Sequence, residues 1–111
     1  MTEQEIFQMI KSIGLPVAYH HFEEGQSPDP PFLVYLYPGT NHFSADGTVY
    51  QGVNQLDIEL YTDKKDLEAE KRVEAVLKEH GLFYEKTETY LESEKMYEVL
   101  FETEVLINEQ S

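Results

Sequence analysis

Val53-Asn54-Gln55-Leu56-Asp57-Ile58-Glu59-Leu60-Tyr61-Thr62 is the stretch that decides the fold. Leu56, Ile58 and Leu60 alternate with Asp57, Glu59 and Tyr61. Successive side chains of a strand point to opposite faces, so this period of two predicts a long strand with one buried face and one wet face. Immediately upstream, Ala45-Asp46-Gly47 is a tight hairpin cue, with Val49 and Tyr50 starting the returning arm. Pro38-Gly39-Thr40-Asn41 marks a turn before that arm. Further back, Phe32-Leu33-Val34-Tyr35-Leu36-Tyr37 is the most apolar run of the chain. A run without alternation suits a strand covered on both faces, at the centre of a sheet. Val17 to Phe22 reads as another strand, rich in β-branched and aromatic residues. The polar loop Glu23–Pro31 follows it, with three prolines that hold the backbone extended.

Helical periods flank these strands on both sides. Thr2 is placed to cap a helix over about Thr2–Ile13, with Glu5 at the capping-box position and Ile6, Phe7, Ile10 and Ile13 as its apolar stripe. Gly14 ends it and Pro16 prevents its continuation. Downstream, Thr62–Asp66 breaks the alternation and caps a second helix over about Asp66–His80, with Leu67, Val73, Val76 and Leu77 as the stripe. Glu68, Glu70, Glu74 and Glu79 lie off that stripe, and Gly81 stops the helix. Two more strands complete the chain, about Leu82–Glu92 and Met96–Ile107, joined by the turn Ser93-Glu94-Lys95. In the last strand Tyr97, Val99, Phe101, Thr103, Val105 and Ile107 share one face. The order is helix, three or four strands, helix, two strands. Strands that arrive in runs with short turns pair mostly antiparallel. The expectation is therefore an α+β fold: a sheet of four to six strands with two helices packed on one face. Residues 1–111 read as one domain, with 108–111 as a flexible polar tail.

Composition narrows the function classes. Among 111 residues there are 22 acidic and 8 basic side chains, a formal net charge of −14. Nucleic-acid binding needs clustered Lys and Arg, and the chain has a single arginine, Arg72, so direct binding to DNA or RNA is not expected. Anionic membrane surfaces repel it too. The absence of cysteine excludes disulfides, thiolate metal sites and cysteine nucleophiles. The opening residues have neither the basic start nor the apolar run of a signal peptide, and no stretch is apolar for long enough to span a bilayer. The expected compartment is intracellular.

Three constellations raise the question of chemistry. His20 and His21 stand beside Glu23 and Glu24, but on a strand their imidazoles point apart and do not grip one ion; a turn there would remove that objection. Asp63, Asp66, Glu68 and Glu70 cluster at a helix start, where capping and dipole complementation account for them and the calcium-loop spacing is missing. Glu85, Glu88, Glu92, Glu94, Glu98, Glu102 and Glu104 recur at the alternate positions of a solvated sheet face, as surface or as a patch lining a pore or facing a basic partner. No nucleophile elbow, phosphate loop or zinc-protease motif is present. No enzyme activity, cofactor or metal is expected. The tyrosines carry more information, because tyrosine joins apolar area to a hydrogen-bonding tip and is enriched at interfaces. Tyr35 and Tyr97 read mainly as half-buried sheet residues. Tyr37, His42, Phe43, Tyr50 and Tyr61 form the candidate interface.

Leu15–Gly25, Pro31–Tyr37, Asp46–Tyr50, Leu56–Lys65 and Glu88–Glu102 together resemble, in the same order and over nearly the whole chain, a family of small phage and prophage proteins from Gram-positive bacteria. These look like head–tail joining or tail-completion proteins with a tail-terminator-like fold. The resemblance implies a virion structural protein, a head–tail connector or tail-completion component. It would act as a ring, often sixfold, whose partners are other copies, the connector and the tail-tube proteins. It would be found in the host cytoplasm during assembly and then at the head–tail junction of the virion. It transfers no catalytic residue. Such a ring needs two different patches on each subunit, and the loop Glu23–Pro31 and the arm Pro38–Gly52 are the expected ones. A net negative ring would also let DNA pass without sticking. The alternatives are a soluble protein-binding or regulatory module encoded by a prophage, docking a host protein on the same tyrosine-rich sheet, and a small enzyme or metal-dependent hydrolase centred on the histidines.

Overall fold

A computed structural model describes residues 1–45 and 48–107, with side chains described for 1–39 and 53–107. The elements run α1 (Glu3–Lys11), β1 (Val17–Tyr19), β2 (Phe32–Leu36), β3 (Thr40–Ala45), β4 (Thr48–Thr62), α2 (Leu67–Glu79), β5 (Tyr84–Leu91) and β6 (Met96–Ile107). The six strands form one sheet in the order β1-β2-β4-β6-β5, with β3 paired to β4 beyond the end of β2. The expected α+β architecture is therefore present. Among the described residues every pairing is antiparallel except β1 with β2, which is parallel.

The alternation of apolar and polar residues along β4 sets the layers. Leu33 lies opposite Leu60, and Leu60 opposite Val99. Tyr35, Ile58 and Phe101 form the next row across the same three strands. These rows join Ile6, Met9, Ile10 and Ile13 of α1 and Ala69, Val73 and Leu77 of α2 in one buried cluster. Both helices thus lie on one face of the sheet. Each of the large apolar side chains in that layer contributes roughly 1.5–3 kcal/mol by leaving water.

Local signals explain the helix ends. Thr2 accepts from the Glu5 N–H at 3.1 Å and the Glu5 carboxylate accepts from the Thr2 N–H at 2.8 Å, the reciprocal capping box. Asp66 caps α2 by accepting from the Ala69 N–H at 3.0 Å. Gly14 leaves α1 at φ +90, and a Cβ there would strike the Arg72 guanidinium. Arg72 Nη2 donates to the Ile13 carbonyl at 2.6 Å, tying α2 to the end of α1.

Four expectations need correction. The first strand stops at Tyr19 rather than Phe22, because His20 turns the chain at φ +69. Thr40 and Asn41, read as turn, begin β3 instead. The arm and the alternating stretch are one strand of 15 residues, β4. The buried stripe of α2 is Ala69, Glu70, Val73 and Leu77, whereas Leu67 is 58% exposed. The hairpin cue itself is matched by the pairing of Ala45 with Thr48; Asp46 and Gly47 lie outside the described residues, as does the tail 108–111. Among the described residues no helix is long and apolar enough to cross a membrane.

Candidate functional site

The face of the sheet away from the helices carries the polar half of the alternation. Asp57 and Glu59 come from β4, Glu98, Glu102 and Glu104 from β6, and Glu85 from β5. Asp57 stands opposite Glu102, which stands opposite Glu85, so three carboxylates form one row across three strands. Like charges at directly opposed positions destabilise a sheet. Among the described strand residues of this face there is no Lys or Arg to offset them.

Neutral donors separate the acids. The Gln55 amide donates towards Asp57 Oδ1 at 3.3 Å and Glu102 Oε2 at 3.4 Å. The Tyr61 hydroxyl lies 2.8 Å from Glu59 Oε1 and 2.9 Å from Glu98 Oε2. A phenol has one proton, so it satisfies one of these carboxylates at a time and the other meets oxygen lone pairs. Burial, together with Glu98 and Asp57, pushes the Glu59 carboxyl upward against the Tyr61 hydrogen bond. Burial and the two carboxylates push the Tyr61 phenol strongly upward, so it stays a donor. Tyr61 is held there by stacking on Phe32 at 5.2 Å, and Phe22 packs edge-on to Phe32 at 5.4 Å. Phe32 and Val34 are buried although they lie on the open face.

The five candidate interface residues have different settings. Tyr61 sits in the acid-lined face just described. Tyr37 follows β2 on the other face, among the rings of Tyr19 at 5.8 Å and Tyr35 at 6.2 Å. Its hydroxyl is enclosed without a hydrogen-bond partner among the described residues, and burial pushes its pKa well up. His42 and Phe43 lie on β3 and Tyr50 on β4, so all three share the arm, and their side chains lie outside the described residues. The structure therefore does not gather the five into one patch: Tyr37 and Tyr61 lie on opposite faces.

The turn at His20 removes the geometric objection to a histidine pair. His20 Nδ1 and His21 Nδ1 lie 3.0 Å apart, and His21 Nε2 is 3.7 Å from Glu23. Both imidazoles are exposed. Among the described residues no group of three His, Asp or Glu side chains is placed to hold a metal ion.

Two features escaped the sequence reading. Glu70, assigned to the wet side of α2, is 2% exposed. Lys65 Nζ lies 2.6 Å from one of its oxygens and Lys86 Nζ 2.6 Å from the other, the latter without hydrogen-bond alignment. Lys65 also pairs with Glu88, and Lys86 with Glu74 at 3.2 Å. Tyr84 donates to Glu74 at 2.6 Å. Burial opposes the charge on Glu70, yet the two lysines outweigh it and hold the carboxyl below its ordinary range. The spacing of Glu70 to Val73 and Leu77 was a usable signal, because it is the spacing of the buried stripe. The second feature is Phe83, 97% exposed just before β5, with its carbonyl accepting from the Thr103 hydroxyl. It borders an open depression of about 540 Å³ whose other side chains include Gln55, Glu85, Glu102 and Glu104.

No protein-family model matches the sequence. No curated protein matches it. The fold is similar to that of a chain in the virion of a native gene transfer agent particle, with a TM-score of 0.66 over 96% of this chain and 94% of that chain, at 14% sequence identity. The likeness runs from end to end, and at that identity it is a likeness of fold.

Proposed function

We propose that this chain is a structural protein of a phage or prophage virion, a head–tail connector or tail-completion component that assembles as a ring of copies. The observation that carries the reading is the end-to-end fold likeness to a chain of a gene transfer agent virion. The motif order that resembles small head–tail joining proteins supports it independently. The arm of β3 and the start of β4 runs past Ile107, the last described residue of β6, and leaves Thr48–Gln51 without a strand on that side among the described residues. Such an arm gives a subunit a reach beyond its own core. Its residues His42, Phe43 and Tyr50, with Tyr37 at its base and Tyr61 on the sheet face, are the proposed contacts to neighbouring copies, connector and tail tube. The helix-free, acid-lined face suits the wall of a passage for DNA, since carboxylates repel the phosphate backbone. Catalysis plays no part in this role, and the sites of action are the host cytoplasm and then the virion.

The test is electron microscopy of particles made without the gene. Filled heads beside detached tails support the head–tail role, and normally tailed particles end it. A map of the assembled ring with Asp57, Glu59 and Glu102 on its outer wall would remove the passage role while leaving the rest.

A further inference from the structure

The sheet ends in two long open edges of unlike chemistry. Among the described residues β5 pairs only with β6, so its other row of backbone N–H and C=O groups faces outward, and its residues from Glu85 to Tyr90 are exposed. β3 pairs only with β4 among the described residues. Between His42 and Ser44 the partner moves from Gly52 to Val49, so the extra residue belongs to β4 and β3 keeps its regular spacing. The remaining edge, β1, has 3 residues.

An open strand edge templates the addition of another strand, and proteins commonly defend such edges with charge. The β5 edge is charged: it carries Glu85, Lys86 and Glu88, with Glu102 of β6 opposite Glu85 and Glu88 paired to Lys65. The β3 edge, Thr-Asn-His-Phe-Ser-Ala, has no Asp, Glu, Lys or Arg. In a chain of net charge −14, the segment 40–52 contains one acid, Asp46. Two β5 edges paired antiparallel would close a twofold dimer and stop. Two β3 edges would do the same. An uncharged edge on a charged one meets no like-charge barrier, and it joins two different patches, the condition for a head-to-tail ring.

We propose that β3 of one copy adds to the β5 edge of the next, continuing the sheet from subunit to subunit. The proposal rests on the ring assembly put forward above. Phe83 supplies an apolar side chain at the joint, held in place by the Thr103 hydrogen bond to its carbonyl.

The chain has no cysteine, so engineered pairs report cleanly. Directly opposed residues of paired strands lie within disulfide reach. Phage are made with Thr87→Cys combined in turn with Thr40→Cys, Asn41→Cys, His42→Cys or Ser44→Cys, and the particles are oxidised and run on non-reducing gels. Circular dichroism of each purified variant confirms that it folds. At least one pair is expected to give a ladder of multimers that collapses on reduction, while Thr87→Cys alone and the Thr87→Cys/Lys95→Cys control do not. Tailed particles that show no ladder with any of the four pairs would overturn the edge pairing and leave the virion role standing. A dimer from Thr87→Cys alone would also overturn it. Tailed particles from the gene deletion would instead remove the assembly reading on which the pairing rests.

Discussion

Replacing Glu70 with alanine takes away a carboxylate that is 2% exposed and abandons two lysines that are 41% and 34% exposed. Breaking a fully buried ion pair costs roughly 3–5 kcal/mol, but here the stranded charges can swing into water, so the expected loss is about 2–3 kcal/mol. Removing the lysines instead, as Lys65→Met with Lys86→Met, strands the buried member and is expected to cost more, about 3–5 kcal/mol at neutral pH. The two variants differ in sign with acid. In the native chain Glu70 has a lowered folded pKa, so its contribution is present above the unfolded value of 4.5 and is lost as pH falls through the folded value. In the double variant the same carboxyl has no cation and is buried, which favours its neutral form, so lowering the pH relieves part of the defect. Urea unfolding followed by circular dichroism at pH 7 and near pH 4 measures both. Typical domains hold only about 5–15 kcal/mol, so changes of this size shift the midpoint visibly. A Glu70→Ala chain within about 0.5 kcal/mol of the native one, or a double variant that weakens with acid as the native chain does, would refute the idea that this network ties α2 to β5.

Other perturbations follow from the same geometry. Glu59→Gln removes one of two carboxylates competing for a single phenol proton and is expected to stabilise by about 0.5–1 kcal/mol at pH 7. Because the folded pKa of Glu59 is raised, the native chain gains stability from this group as pH falls through the raised value towards 4.5, and Glu59→Gln loses that part of the pH profile; chemical denaturation at several pH values checks it. Gly14→Ala forces a side chain into the left-handed region, about 1–2 kcal/mol, and pushes Arg72 off the Ile13 carbonyl, so a clear drop in thermal midpoint is expected. Phe83→Ser changes the stability of the isolated chain by less than about 0.5 kcal/mol, since Phe83 is almost wholly in water, while reducing particle assembly; unfolding curves beside counts of tailed particles separate the two effects.

Much of this molecule was legible in one dimension. The period of two in Leu56–Leu60 and in Tyr97–Ile107 assigned the buried face of the two longest strands, because pleating leaves a side chain no other way to alternate. Thr2 with Glu5 and Asp66 with Ala69 set the helix starts, since caps are bonds between near neighbours. Only the tertiary structure decided what depends on distant partners. The parallel pairing of β1 with β2 follows from where the Glu23–Pro31 loop returns the chain. Glu70 could be buried only because Lys65 and Lys86, 5 residues before and 16 after it, converge on its two oxygens. Tyr61 meets both Glu59 and Glu98 because β4 and β6 hold that register. The pattern of apolar and polar residues is a local property, so the sequence states it openly. The company each charge keeps is a property of the folded sheet, where residues far apart in the chain share a few ångströms.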